Sequence, residues 1–191
     1  MILLVGASAS GKTEVSKYLL KEYGLVKAIT HTTRAPRIKE RDGVDYYFVT
    51  SDEFESLIKR NAFVEWTKYN NHFYGSSKKE IGDDKVLIVD PNGLKEYIKL
   101  KDSSIVTFFL EASEKTRKER MIERGDSKES IKERVACDKI AFAKEKVKCC
   151  DFHIKTDGRD LEDITKEIYS DYLKELKRRG VAPNLLIHEE D

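Results

Sequence analysis

One short motif constrains this chain more than any other feature. Gly6-Ala-Ser-Ala-Ser-Gly11-Lys12-Thr13 fits G-x-x-x-x-G-K-[ST] at every fixed position. The apolar run Met1–Val5 precedes it, and a segment with Val15, Leu19 and Tyr23 on one helical face follows. A buried strand, a glycine loop and a helix in this order are typical of a phosphate-binding loop, because backbone N–H groups and the positive helix N-terminus converge on an anion. The motif therefore predicts binding of a nucleoside triphosphate.

We expect the whole motif to line the site of this nucleoside triphosphate, as Gly6, Ala7, Ser8, Ala9, Ser10, Gly11, Lys12 and Thr13. Lys12 would reach the β- and γ-phosphates, and Thr13 would offer its hydroxyl to Mg²⁺. The alternative, a chance glycine-rich turn, is disfavoured by the flanking strand and helix. The motif does not say which acceptor receives the phosphate.

The composition indicates a globular, cytoplasmic protein. The 36 basic and 35 acidic side chains nearly cancel, which argues against dedicated binding of nucleic acid or a membrane surface. The chain has an odd number of cysteines, Cys137, Cys149 and Cys150, and the last two are adjacent. This pattern suits a reducing compartment better than a disulfide framework. We see neither a membrane span nor a signal peptide. We expect one domain, with monomer and homodimer both open.

Strands and helices alternate along most of the chain. Apolar runs predict strands at Met1–Val5, Lys85–Asp90, Ser104–Leu110 and Asp151–Lys155. Helical periodicity predicts helices at Lys12–Tyr23, after an N-cap at Ser51, at Glu114–Arg124, after a capping box of Asp126 and Glu129, and from Leu161 to the basic run before Gly180. This alternation predicts an α/β fold with a parallel sheet and helices on both faces.

The stretch Asp45–Ser76 breaks this alternation and predicts a small mixed β subdomain. A turn at Asn70-Asn71 would place Thr67 opposite Tyr74 and Glu65 opposite Ser76, all on one face. A carboxylate beside hydroxyls suits guanine, whose ring N–H and exocyclic amine both donate, and does not suit adenine. The alternative is a solvated outer face of the hairpin.

Two arginines precede this subdomain. Arg34 and Arg37 are three residues apart, so their guanidinium groups could clamp one dianionic phosphate, with the Tyr46 hydroxyl as a further donor. An exposed loop with solvated arginines is the alternative.

These motifs together resemble the guanylate kinase family. The resemblance is carried by the phosphate loop, by Thr32-Thr33-Arg34-x-x-Arg37-x-x-Glu40 followed by Asp42-Gly43-x-Asp45-Tyr46-x-Phe48-Val49, by Phe63-Val64-Glu65-Trp66 and by Tyr74-Gly75-Ser76-Ser77. It extends more loosely to about Leu161. It implies a kinase that uses ATP and Mg²⁺ to phosphorylate GMP.

The resemblance also implies a domain organisation, the P-loop nucleoside monophosphate kinase fold. A single domain over 1–180 would comprise a parallel core flanked by helices (1–30, 77–112 and 135–180), a mixed β GMP-binding insertion (31–76) and a helical lid (113–134). The segment 181–191 would be a C-terminal tail.

Site residues follow from the same resemblance. The GMP phosphate would be held by Arg34, Arg37, Tyr46 and Tyr74, with Glu40 supporting the arginine loop. The guanine pocket would be lined by Thr30, Glu65, Ser76 and Asp90. Catalysis would rest on Lys12 and on the lid arginines Arg120, Arg124 and Arg134, for which ordinary solvated helix charge is the alternative.

Two positions depart from the family pattern. Ile88 replaces the first of two acids that members commonly carry on this strand, while Asp90 keeps the second. Asp90 could therefore meet the guanine amine or orient the waters of Mg²⁺, and a carboxylate at position 88 would be partly desolvated in an apolar strand. Thr156 stands where the family has an asparagine near the adenine, which leaves the choice of donor base open.

Two rival functions stay open at this point. One is a P-loop kinase with another small acceptor, such as a different nucleoside monophosphate or a phosphorylated sugar; Glu65, Ser76 and Asp90 argue against it. The other is a guanylate-kinase-like module whose acceptor site binds a peptide or phosphopeptide. The phosphate loop of such modules is typically degraded, whereas this one is complete.

Overall fold

The computed structural model describes residues 1–182. The strands are β1 (Ile2–Val5), β2 (Val26–Lys27), β3 (His31–Thr32), β4 (Tyr47–Phe48), β5 (Phe63–Tyr69), β6 (His72–Ser77), β7 (Lys85–Ile88), β8 (Val106–Glu111) and β9 (Phe152–Lys155). The helices are α1 (Lys12–Glu22), α2 (Ser51–Lys59), α3 (Pro91–Lys99), α4 (Glu114–Glu123), α5 (Lys128–Ala141), α6 (Lys144–Val147) and α7 (Leu161–Arg178). Apart from residues 181 and 182, the predicted tail lies outside this description.

The central sheet is parallel, as predicted. Its five strands lie in the order β2-β7-β1-β8-β9, and every recorded pairing between them is parallel. Strand β1 is in the middle, and none of its residues is exposed to solvent. A strand buried on both faces needs apolar side chains at every position, which explains the unbroken run Met1–Val5.

Helices cover both faces of this sheet. Ile2 and Leu4 pack with residues of α1 and α7, whereas Leu3 and Val5 pack with residues of α3. Side chains of a strand alternate between faces, so the two sets belong to two separate layers of core. The predicted fold class is confirmed.

Several predicted boundaries were wrong by a few residues. The N-cap of α2 is Thr50 rather than Ser51, because Thr50 and Glu53 form a reciprocal capping box. The N-cap of α5 is Ser127, whose side chain accepts a hydrogen bond from the N–H of Ser130. Asp126 lies outside that helix and pairs with Arg124, so the predicted box of Asp126 and Glu129 does not form.

Strand β7 ends at Ile88, two residues before the predicted end. Asp90 is the N-cap of α3, a helix that the periodicity did not reveal, and Pro91 begins that helix. Proline at the first helical position and an aspartate before it are the local signals that could have shown this helix.

A second sheet has the strand order β4-β3-β6-β5. Its long hairpin, β5 and β6, has the predicted register, with Glu65 opposite Ser76 and Thr67 opposite Tyr74. Asn70 and Asn71 have φ of 47° and 63°, the left-handed conformation that a two-residue hairpin turn requires at both positions. The turn and the predicted hairpin are therefore confirmed.

No helix within residues 1–182 is both long and apolar enough to cross a membrane. All three cysteines are free, and Cys150 is buried.

A small aromatic core holds the hairpin to α2. The ring of Phe54, which is fully buried, stacks on Phe63 at 4.5 Å and on Phe73 at 5.2 Å between centroids. A Cβ atom on Gly75 would lie 3.0 Å from both Phe54 and Phe63. The hairpin and α2 therefore approach as closely as a glycine allows.

We expect Phe54→Ala to lower the free energy of unfolding by about 3–5 kcal/mol, because it removes a buried ring and leaves a cavity. Urea denaturation followed by circular dichroism measures this. The matched control is Ile122→Ala at a side chain that is 64% exposed, where the change should stay within about 0.5 kcal/mol. Equal effects of the two substitutions would contradict the importance of this core.

Candidate active site

The phosphate-loop motif forms the connection between β1 and α1. A Cβ atom on Gly6 would lie 2.8 Å from the Leu110 carbonyl oxygen, so only glycine allows this close approach to β8. Gly11 has φ of 102°, and as the N-cap of α1 it provides no side-chain hydrogen bond to the helix. The N–H groups of the first turn are thus left for a bound anion.

Lys12 is the first residue of α1 and lies folded over the loop. Its Nζ donates to the carbonyl oxygens of Gly6 and Ala7 at 2.6 and 2.8 Å. Burial lowers the pKa of Lys12 to about 8, an effect that the negative charge of Asp138 opposes. The ammonium group is therefore poised beside the loop with little water around it.

Two of the three predicted lid arginines reach the loop. Arg120 donates to the Ala9 carbonyl oxygen at 3.1 Å and to that of Thr156 at 3.1 Å. Arg124 lines the same recess of about 250 Å³ and is paired with Asp126. Arg134 is exposed on α5, where its Nε donates to Ser130 Oγ at 3.2 Å, so the structure does not bring it to the recess.

The predicted guanine pocket is a recess of about 670 Å³ lined by Thr30, Glu65 and Asp90. Ser76 lies behind it, buried to 2% exposure, and its hydroxyl donates to Glu65 Oε1 at 2.6 Å. Burial raises the pKa of Glu65, whereas the hydrogen bond from Ser76 lowers it. The recess thus presents a carboxylate oriented by a hydroxyl, as the hairpin register predicts.

The arginine loop is held together by Glu40. Arg34 Nη2 contacts both Glu40 carboxylate oxygens at 2.9 Å, and the Arg37 N–H donates to the same carboxylate at 2.7 Å. These bonds raise the pKa of Arg34 and lower that of Glu40. The Arg37 side chain is exposed to solvent.

Two tyrosines stand beside this loop. The guanidinium of Arg34 lies 5.5 Å from the centre of the Tyr46 ring, and the Tyr46 and Tyr74 rings are 6.4 Å apart. The structure therefore brings Arg34, Tyr46 and Tyr74 together around one surface, next to the hairpin.

Three adjoining recesses connect the two halves of the site. The recess of Glu65 and Asp90 shares Thr30 and Ile88 with a middle recess of about 370 Å³, which Tyr46 also lines. The middle recess in turn shares Thr13 with the recess of the phosphate loop. The row runs from the carboxylate pocket, past a tyrosine, to the phosphate loop.

The donor set fits a magnesium ion that arrives with a nucleotide. Thr13 and Asp90 are both exposed, and Asp90 Oδ1 also accepts from the Gly93 N–H at 2.8 Å as the cap of α3. Within residues 1–182 no three His, Cys, Asp or Glu side chains lie close enough to hold a metal. Mg²⁺ ordinarily binds through one or two protein oxygens and substrate phosphates rather than a complete protein cage.

The profile of the guanylate kinase family matches residues 1–175. The chain belongs to the guanylate kinase family. A guanylate kinase of Rickettsia bellii is 32% identical over 188 residues, which cover 94% of this chain and 96% of that protein. A guanylate kinase of Mycoplasma genitalium is 36% identical over 152 residues, 74% of this chain and less than two thirds (63%) of that protein.

A solved guanylate kinase structure, from Anaplasma phagocytophilum, has the same fold. Its TM-score is 0.62 with 23% identity, covering 92% of this chain and 85% of that one. The profile match over residues 1–175 confirms the family predicted from the motifs.

The structure shows the surroundings of the two residues that depart from the guanylate kinase pattern, Ile88 and Thr156. Ile88 is 39% exposed at the end of β7, so a carboxylate there would keep part of its contact with water, which agrees with the expected partial desolvation. Thr156 is 1% exposed, and its hydroxyl donates to the carbonyl oxygens of Ser10 and Glu111 at 3.2 and 3.3 Å. Thr156 therefore lies beneath the phosphate loop.

The sequence motifs did not identify two charged residues near the phosphate loop, Arg117 and Asp138. Both are buried. Arg117 shares the buried face of α4 with Met121, and Asp138 shares that of α5 with Ile131 and Val135. Charged residues at helical spacing from apolar ones are the signal that could have identified them.

We expect Ile88→Asp to change the free energy of unfolding by less than about 1 kcal/mol, because the side chain is partly in water. Leu87→Asp is the matched control on the same strand. Leu87 is only 7% exposed, so a carboxylate there would be desolvated and strongly destabilising. Chemical denaturation of both variants measures the difference, and comparable losses would contradict the assigned exposure of Ile88.

Proposed function

We propose that this protein transfers the γ-phosphate of ATP to GMP, giving ADP and GDP. The observation that carries the proposal is the continuous row of recesses between the Glu65–Ser76 pair and the phosphate loop. A base at Glu65 and a triphosphate at Lys12 would place the acceptor phosphate between them, beside Tyr46 of the middle recess. Membership of the guanylate kinase family supports the same reaction.

Glu65 and Ser76 give the guanine specificity. The Ser76 hydroxyl orients the carboxylate, and the carboxylate accepts from the ring N–H and exocyclic amine of guanine. Adenine lacks the ring N–H and would leave a buried carboxylate oxygen without a donor, which is costly. Thr30 and Asp90 line the same recess and complete the guanine contacts.

Arg34, Arg37, Tyr46 and Tyr74 hold the GMP phosphate. Arg34 is already fixed by Glu40, so little conformational freedom is lost when the phosphate binds. Arg37 has an exposed side chain that closes on the phosphate from solvent. The acceptor phosphate is an oxyanion near neutral pH, so the reaction needs no general base from the protein.

Lys12, Arg120 and Arg124 neutralise charge on the migrating phosphoryl group. Thr13 would hold Mg²⁺ together with the ATP phosphates, and Asp90 is the second candidate for orienting its waters. When bound, Mg²⁺ supplies further neutralisation of the phosphate oxygens. Arg124 exchanges its partner Asp126 for phosphate, and Arg134 reaches the site through closure of the lid 113–134. Closure also excludes water, which would otherwise hydrolyse ATP.

A panel of acceptors tests the proposal. With ATP and Mg²⁺ present, GMP should stimulate ADP release far more than AMP, CMP, UMP or dTMP, because only guanine matches the Glu65–Ser76 pair. A coupled assay of ADP release measures this. Equal stimulation by AMP would exclude the guanine assignment, and no stimulation by any acceptor would favour a binding module.

We expect Glu65→Gln to raise the KM for GMP by about tenfold or more, because hydrogen bonds to a charged acceptor are lost. The KM for ATP should not change. The matched control is Glu96→Gln, the same substitution in a residue that lines the same recess but pairs with Lys99. If both variants alter the KM for GMP equally, the recess acts through its overall charge rather than through Glu65.

A further inference from the structure

An ion pair lies beneath the phosphate loop. Arg117 Nη1 of α4 is 2.6 Å from Asp138 Oδ2 of α5, with side chains 8% and 9% exposed. A buried ion pair is seldom a net source of stability, because desolvation of the two charges offsets their attraction. The contacts that this pair makes with the loop point to another role.

The pair binds every polar group of one loop residue, Ser8. The Ser8 N–H donates to Asp138 Oδ2 at 3.0 Å, and its hydroxyl donates to Oδ1 at 3.3 Å. Arg117 Nη1 donates to the Ser8 carbonyl oxygen at 3.3 Å. Asp138 and Arg117 therefore fix the backbone of Ser8 on both sides of its Cα atom.

The next residue, Ala9, has φ of 59°. This left-handed conformation is unfavourable for a residue with a Cβ atom and persists only where the surroundings hold it. Arg120 donates to the Ala9 carbonyl oxygen at 3.1 Å, and Ala9 packs on Met121, Ile131 and Val135. Helices α4 and α5 thus hold the strained part of the loop from one side.

We propose that Arg117 and Asp138 are positioning residues for ATP. They hold Ser8 so that the chain passes through the left-handed Ala9 and presents the N–H groups of residues Gly11 to Thr13 to the triphosphate. Neither side chain touches the nucleotide. The inference rests on the proposed role of this loop in binding ATP.

A double variant, Arg117→Met with Asp138→Leu, separates positioning from stability. It removes both charges at once, so no buried charge is left unpaired and the thermal midpoint should be unchanged or raised. Isothermal titration calorimetry with ATP should show a Kd increased by about tenfold or more, because two hydrogen bonds to a carboxylate are lost. The KM for ATP should rise in parallel, and the KM for GMP should not change.

Asp138→Asn is the second variant, for the case that the double variant does not fold. Its amide oxygen keeps one acceptor for Ser8, so the Kd for ATP should rise less than in the double variant. Glu175→Gln is the control, because Glu175 is another poorly exposed carboxylate paired with arginines, Arg178 and Arg179. Glu175 lies near the amino ends of the central strands, where Arg179 binds the Ile105 carbonyl oxygen, whereas the phosphate loop follows the carboxyl end of β1. Glu175→Gln should therefore lower stability without changing the Kd for ATP.

A folded double variant with the wild-type Kd for ATP would overturn the proposal, as would equal increases in the constants for ATP and GMP. If the double variant does not fold, the Asp138→Asn protein decides the question. The proposal would then be overturned if Asp138→Asn bound ATP as tightly as Glu175→Gln does. Calorimetry with ATP needs no acceptor. Failure of the proposed GMP reaction would instead appear in the wild-type acceptor panel.

Discussion

Strand β1 places both halves of the candidate active site. It is fully buried and pairs in parallel with β7 on one side and β8 on the other. The carboxyl ends of parallel strands meet at one edge of a sheet, where α/β proteins bind their ligands. The phosphate loop follows β1, Asp90 follows β7, and the helix that carries Arg120 follows β8. A chain that could not bury β1 would bring none of these groups together.

The close approach of β1 to β8 sets the shape of the loop. Gly6 lies against the Leu110 carbonyl oxygen, and Thr156, after β9, supports Ser10 from below. From the side, Arg120 binds the carbonyl oxygen of Ala9. The loop is therefore held by contacts from several distant parts of the chain. Preorganisation of this kind reduces the entropy lost on binding.

Much of the fold, and the part of the candidate site proposed to bind GMP, could be predicted because the sequence signals for them lie in neighbouring residues. The hairpin register follows from the turn at Asn70-Asn71 and from strict alternation, since a slip by one residue would move Glu65 to the other face. Helix boundaries were less certain because Thr50 and Ser51, or Asp126 and Ser127, are both acceptable caps. Helix α3 was missed because its N-cap and first turn, Asp90-Pro91-Asn92-Gly93, consist of residues that are typical of turns.

By itself, the sequence determined the strand, loop and helix of the phosphate site, the parallel sheet and the hairpin that pairs Glu65 with Ser76, because each depends on neighbouring residues or on a short turn. Only the tertiary structure decided that Arg117 and Asp138 meet under Ser8, that Thr156 supports Ser10 from 146 residues away, that Arg134 stays in solvent and that Ile88 is exposed. These outcomes depend on how distant helices and strands pack, and the burial of a charged or apolar side chain at one position is set by partners that local periodicity does not contain.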